Sequence, residues 1–351
     1  MGATEQEGMK TIRPLLINLA VLATTILIFL IAAETAIRLT TLETDNEPVI
    51  LTYSDNPLLL YENAVNASAV VDGVTFSTNS HGMRYGEIAL KKEPKIRRIA
   101  LLGDSVAFGH GLPYNESFGA ILEQSLNNGK KEKYEVLNFA VEGYGTLEQV
   151  ETLRSKALDF KPDFVIITYV LNDPEISTSL QSYFSQHPRD QERICKIHAI
   201  NLPIPCPARD FVDSLRLPDF IYGKIIAIQS KVEGDYFTLA HQDESLWGSV
   251  TSSYSILANL TQERDIPVVV VIFPLFVPDQ DYRWEWIHEM VELEAREQGF
   301  QVLDLLDPLQ KAGIENVAIH RKDPLHPNAN GNKIAAAEIE IFLREEKLIP
   351  S

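Results

Sequence analysis

The chain has 351 residues, of which 45% are hydrophobic and 23% charged, an ordinary globular composition. That length suits one large domain or two small ones. Its formal net charge is −18, and so acidic a surface repels phosphate backbones, which argues against nucleic acid as a partner.

The first element in chain order is a candidate membrane helix. Pro14 to Ala33 (PLLINLAVLATTILIFLIAA) is an uncharged run of 20 residues. At ~1.5 Å per residue it spans about 30 Å, the thickness of a hydrocarbon core. Lys10 and Arg13 precede it, while Glu34, Glu43, Asp45 and Glu47 follow. The positive side stays cytoplasmic, so the bulk of the chain is expected outside, in a periplasm or at a cell surface. This reading divides the start of the chain into a cytoplasmic tail (1–13) and an anchor (14–36). A cleaved signal peptide is the rival, but its apolar region is usually shorter, and no convincing small-x-small site lies near Ala32 or Ala33. A soluble buried helix would show a polar face, and none interrupts the run.

Residues 37–96 form a polar, irregular lead-in with short strand-like pieces such as Val70–Phe76. Within it, Asn79-Ser80-His81-Gly82-Met83-Arg84 reads as a turn with Gly82 at positive φ. Arg84 is a candidate either to bind an acidic substrate group or to buttress a site edge.

From residue 97 the pattern becomes regular. Strands are expected at Arg98–Leu102, Glu135–Ala140, Phe164–Tyr169, Pro267–Ile272 and Gln301–Leu305. These continuous apolar runs suit strands buried on both faces of a parallel sheet. Helices are expected between and after them at Ser117–Asn127, Leu147–Leu158, Ser245–Glu263, Trp284–Gln298 and Gly331–Arg344. The alternation predicts a doubly wound, flavodoxin-like α/β fold with a five-stranded parallel sheet over 97–345. Residues 174–244 are too long for a connection in such a fold. They are expected to form an insertion over the carboxyl edge of the sheet, where it would shape a substrate site. Inside it, Cys195 and Cys206 are candidates for a local disulfide if the domain lies outside the cytoplasm. A metal site built on them lacks the usual ligand spacing. Sequons at Asn66, Asn115 and Asn259 matter only in a secretory pathway that glycosylates.

The chemistry gathers at strand ends. Ser105 follows Ile99-Ala100-Leu101-Leu102-Gly103-Asp104, and open α/β sheets bind ligands just beyond the carboxyl ends of their strands. A serine hydroxyl needs a base to become a nucleophile. His326, in Asp323-Pro324-Leu325-His326-Pro327-Asn328, comes after the last strand, on the same expected edge. Asp323, three residues earlier, can reach back to the imidazole and fix its tautomer. Three donors are candidates for an oxyanion site: the Ser105 N–H, the Gly143 N–H after the second strand, and the Asn172 amide after the third. Asp104 is expected to secure the serine loop rather than act as a base. His110 is a pocket-lining candidate, although it reads equally as a loop residue between glycines. At most one of Trp284 and Trp286 would face a sugar, because i and i+2 on a helix do not share a face. His320 and Arg321 read as rim residues.

This constellation resembles the SGNH hydrolases, the GDSL-like esterase superfamily, over roughly 97–345. Ser105 in Gly103-Asp104-Ser105 looks like the block-one nucleophile, Gly143 the block-two glycine, Asn172 the block-three asparagine, and Asp323 with His326 the block-five pair. Two positions depart from the family pattern. Val170 replaces the glycine of Gly-x-Asn-Asp, which alters the packing expected around Asn172, and Val106 follows the serine where leucine or isoleucine is common. The Asn79–Arg84 motif looks like a segment that precedes the catalytic domain in membrane-anchored and polysaccharide-modifying members. The resemblance implies a serine esterase acting on an O-acyl ester of a carbohydrate or lipid, with no metal or organic cofactor. A polysaccharide O-acetyltransferase using the same triad is the leading alternative, and a non-catalytic, membrane-tethered binding module is the third reading.

Overall fold

A computed structural model describes residues 3–41, 50–56, 58–59, 61–71, 73–129, 133–174, 235–313, 316–320 and 323–350. Cys195, Cys206, Arg321 and residues 175–234 of the expected insertion lie outside the described residues.

Helix α1 (Ala3–Thr41) carries the apolar run. Its window Ala20–Ile37 is long and apolar enough to cross a membrane, and none of that window is buried. Ile17, Val21, Leu22, Ile26 and Phe29 stand exposed along it, an apolar surface that calls for a non-aqueous neighbour. By length and composition α1 is a candidate membrane span or signal.

Two hairpins follow. Strands β1 (Leu51–Tyr53) and β2 (Tyr61–Asn63) pair antiparallel. So do β3 (Ser68–Val71) and β4 (Val74–Ser77). The single strand-like piece expected at Val70–Phe76 is therefore the heart of a hairpin, and the chain reverses beside Gly73 at φ 78°. Alternating apolar residues did not distinguish one strand from two, because the turn interrupts the pattern for only two positions.

The core is a five-stranded parallel sheet of β5 (Ile96–Leu102), β6 (Lys133–Asn138), β7 (Phe164–Tyr169), β8 (Val268–Ile272) and β9 (Gln301–Asp304). The spatial order is β6-β5-β7-β8-β9, and all four pairings are parallel. This is the doubly wound order in which the first strand is flanked by the second and third, and ligand crevices form at that reversal. Every residue of β7 and β8 is buried, which is why both read as unbroken apolar runs. Strand β5 starts at Ile96, three residues before its unbroken apolar run. There Arg98 is 1% exposed yet fully engaged, donating to Glu135 Oε2 at 2.7 Å and to the carbonyls of Ala89, Leu90 and Phe160.

Helices α3 (Phe118–Asn127) and the C-terminal α9 (Ala329–Glu345) pack together. Helix α4 (Thr146–Ser155) packs on α6 (Glu244–Gln262), which also meets α7 (Glu285–Glu297). Among the described residues, three short helices escaped the periodicity reading: α2 (Ser105–Phe108), α5 (Tyr236–Gln242) and α8 (Leu306–Lys311). At seven residues or fewer they complete at most two turns, too few to print a helical period.

Candidate active site

Ser105 opens α2 directly beyond the carboxyl end of β5. Asp104 caps this helix. Its Oδ1 accepts from the Val106 N–H at 2.9 Å, and its backbone carbonyl accepts from the Phe108 N–H at 2.9 Å. It thus secures the loop, as the sequence suggested. Burial pushes the Asp104 carboxyl above its ordinary range. Gly103 is demanded by space. A Cβ there would sit 2.1 Å from Thr168 Oγ1 and 2.4 Å from Ala107 Cβ, so only a glycine lets the turn lie against β7.

The Ser105 hydroxyl lies 2.8 Å from His326 Nε2 across 221 positions of sequence. On the far side of the ring, His326 Nδ1 lies 2.8 Å from Asp323 Oδ2. The second carboxylate oxygen accepts from the N–H groups of Leu325 at 2.9 Å and His326 at 3.1 Å. Partial burial raises the Asp323 pKa, but the hydrogen bonds and charge of His326 and these two N–H groups outweigh it and bring it down to about 2. The loop itself is pinned at three points: Ile319 N–H to His326 O at 2.8 Å, Asn328 N–H to Val317 O at 2.7 Å, and Phe276 N–H to Pro324 O at 2.7 Å. An anionic carboxylate, an oriented imidazole and a hydroxyl in series is an arrangement that can activate oxygen as a nucleophile.

The sheet order sets the candidate oxyanion donors. β5 lies between β6 and β7, so Gly143, after β6, and Asn172, after β7, flank the strand that carries Ser105. Gly143 adopts φ 76°, a backbone conformation that glycine reaches without a Cβ penalty. Asn172 is half-buried, and its Oδ1 accepts no hydrogen bond from the described residues. Val170, at the family's glycine position, is fully buried. Its N–H donates to Asp173 Oδ1 at 3.1 Å and its carbonyl accepts from the Asp173 N–H at 2.8 Å. The valine is thus accommodated within a closed turn.

One expectation needs correction. Arg84 does not face substrate. It is 1% exposed, and its Nη1 donates to the carbonyls of Phe108 at 2.6 Å and Gly109 at 2.7 Å, with Nη2 on Leu112 O. Its guanidinium carbon lies 4.6 Å from the ring centroid of Phe76 and 4.9 Å from that of Phe108, and burial lowers its pKa to about 10. It is the buttress, the other half of the original reading. Of the two tryptophans weighed for a sugar face, Trp284 is buried and its indole N–H donates to Asp235 Oδ1 at 2.6 Å.

His110 lies beside the imidazole of His326. Its ring lies 4.3 Å from that of His326 at an interplanar angle of 31°, and its Nδ1 is 2.8 Å from Glu142 Oε1. The exposed His320 accepts at its carbonyl from the Asp323 N–H at 3.0 Å, which fits a rim position.

Several residues around the site were invisible to sequence reasoning. Asn138 Nδ2 donates to Ala107 O at 2.8 Å, tying β6 to α2. Asp173 Oδ2 accepts from Thr146 Oγ1 at 3.1 Å and Gln149 Nε2 at 2.9 Å, joining the Asn172 turn to α4. Burial first, and the charge of Asp104 second, raise the Asp173 pKa well above its ordinary range. His288 bridges Asp304, 2.9 Å from Nδ1, and Tyr282, 2.5 Å from Nε2. Only the Asn-Asp dipeptide offered a local signal, because the other contacts join distant segments. Among the described residues no group of three His, Cys, Asp or Glu side chains is arranged to hold a metal ion.

Comparison with known proteins gives a family and several distant solved structures. Residues 101–334 match the GDSL-like Lipase/Acylhydrolase family. Among solved structures, the psychrotrophic esterase EstA from Pseudoalteromonas sp. is 12% identical at a TM-score of 0.40, covering 72% of this chain and all of EstA. The acetylxylan esterase Axe2 from Geobacillus stearothermophilus is 12% identical at 0.42, over 71% of this chain and 93% of that one. A two-domain esterase active on acetylated mannans, CEX, is 14% identical at 0.41, over 72% of this chain and 50% of its own. No curated protein matches the chain. The family match spans every block of the site from the end of β5 into α9, and with it the chain belongs to the GDSL-like lipase/acylhydrolase family of ester-bond hydrolases.

Proposed function

We propose that the chain is a membrane-anchored serine esterase that cleaves an O-acyl ester of a carbohydrate or lipid through Ser105, His326 and Asp323. Ser105 Oγ attacks the acyl carbonyl as its proton passes to His326 Nε2. Asp323 holds the Nδ1–H tautomer and stabilises the imidazolium. The N–H groups of Ser105 and Gly143 and the Asn172 side chain receive the developing oxyanion, a role commonly worth ~3–4 kcal/mol of barrier per donor. His326 then returns its proton to the leaving alkoxide, and water, deprotonated by the same imidazole, releases the acyl group. The observation that carries this reading is the continuous Ser105–His326–Asp323 hydrogen-bond series, formed at the sheet edge by two segments 221 positions apart in sequence.

The remaining assignments belong to the same proposal. Residues 14–36 anchor the chain with 1–13 in the cytoplasm, residues 37–96 lead in, and 97–345 form the hydrolase unit with an insertion at about 174–244. A Cys195–Cys206 disulfide within that insertion fits an extracytoplasmic domain. His110 is the substrate-contact candidate at the mouth of the site.

The test is turnover of p-nitrophenyl acetate by the full chain in detergent. Wild-type hydrolysis that falls to background in Ser105→Ala supports the assignment, and turnover retained in that variant overturns it. Adding an oligosaccharide acceptor decides between water and sugar as the acyl acceptor. Transfer that exceeds hydrolysis makes the enzyme an O-acetyltransferase running on the same residues.

A further inference from the structure

We propose that the lead-in segment is a positioning arm of the active site, in which Tyr61 sets the plane of the Glu142–Gly143 peptide and thereby aims the Gly143 N–H. The inference rests on the oxyanion role proposed for Gly143 above.

The lead-in contributes none of the three residues of the hydrogen-bonded series, yet β2 lies against the loop that carries Gly143. The Tyr61 O–H donates to Glu142 O at 3.0 Å. Asn63 Nδ2 donates to Ala140 O at 3.0 Å. In return, the Tyr144 O–H donates to the Tyr61 carbonyl at 2.5 Å, and the two tyrosine rings lie 5.4 Å apart. These contacts fall at 140, 142 and 144, on both sides of the glycine.

The bond to Glu142 O matters most, because of peptide geometry. Glu142 C=O and Gly143 N–H belong to one planar unit in which they point in opposite directions. Fixing the oxygen therefore fixes the direction of the N–H. A donor on that oxygen also polarises the amide and strengthens its N–H as a donor. Gly143 at φ 76° has the freedom to swing this plane, so a restraint is required if its N–H is to be preorganised. Burial pushes the Tyr61 hydroxyl well above its ordinary range, which keeps it a donor at any working pH. The same segment reaches the nucleophile side through Arg84, whose bonds to Phe108 O and Gly109 O close the end of α2. One arm thus touches both halves of the site.

Tyr61→Phe deletes the hydroxyl and keeps the ring and the carbonyl that Tyr144 uses. With the full chain in detergent and p-nitrophenyl acetate as substrate, kcat is expected to fall about 10- to 100-fold with KM within two-fold. Affinity for a trifluoromethyl ketone, whose hemiketal oxyanion occupies the same site, should fall by the same factor as kcat/KM. Tyr144→Phe removes a hydrogen bond from the same interface but not the one on Glu142 O, and should lower kcat far less. Equal losses in the two variants, or wild-type kcat and ketone affinity in Tyr61→Phe, overturn the positioning role. A lower melting temperature with unchanged ketone affinity overturns it too, since that is a purely structural effect. Turnover surviving in Ser105→Ala removes the acyl-transfer reading and this inference with it, whereas full activity in Tyr61→Phe alone removes only the arm.

Discussion

Asp323 shows how much one side chain can decide. Its two oxygens divide the work, one on the His326 ring and one on two backbone N–H groups of its own turn. An amide in its place would keep the shape but lose the negative charge and offer a donor where an acceptor is needed. We therefore expect Asp323→Asn to lower kcat about 1,000- to 10,000-fold, with little change in KM. Steady-state kinetics on an ester checks this, and a loss confined to KM would contradict it. The carboxylate's pKa is lowered to about 2, so its contribution to stability is full above its unfolded value near 3.8 and disappears as pH falls towards 2. At this scale the sequence was legible where a chemical role demands a residue type: serine at a strand end, an aspartate three before a histidine, a glycine and an asparagine after neighbouring strands. Arg84 was legible as having one of two roles, substrate binder or buttress, but not as which. Sequence shows a guanidinium, and only the packed carbonyls of Phe108, Gly109 and Leu112 show where it is spent.

Strands β7 and β8 were readable to within a residue, because a strand buried on both faces is apolar throughout. The relay of Asp304, His288 and Tyr282 was not, since the residues sit on a strand end, a helix and a loop, and no local spacing links them. Nor was the bond between β2 and the Gly143 turn, which spans 81 positions. Helix α4 carries a further consequence. Glu148 accepts from the Gly145 N–H at 3.1 Å, and burial raises its pKa to about 7. A carboxyl raised in the folded state stabilises below its unfolded pKa, near 4.5, and that contribution is lost as pH rises through 7. The scale is at most about 3 kcal/mol. Glu148→Gln keeps an acceptor for Gly145 and removes the ionisation. Relative to wild type it should gain stability between pH 5 and pH 8 in thermal melts, and a constant difference across that range would contradict the assignment.

For the whole molecule, the order β6-β5-β7-β8-β9 gathers Ser105, Gly143, Asn172 and the Asp323–His326 loop at one edge without any of them being close in sequence. The alternation of strands and helices predicted that order. It did not predict that the hairpins before β5 pack on the same edge, because the lead-in lacks a long periodic element. Helix α1 adds a second expectation. If Ala20–Ile37 spans a bilayer, the full chain remains in the membrane pellet after a high-salt and carbonate wash, while a chain lacking residues 1–41 is released. A mature protein whose N-terminus lies just beyond Ala33 would instead make α1 a cleaved signal. All of the proposed chemistry converges on one hydroxyl. The most direct measurement is peptide mass spectrometry after reaction with a p-nitrophenyl phosphonate. The account predicts a single stoichiometric adduct on Ser105, formed at least about 100-fold more slowly in His326→Ala. Labelling at another residue, or labelling of Ser105 at the same rate without His326, would contradict it.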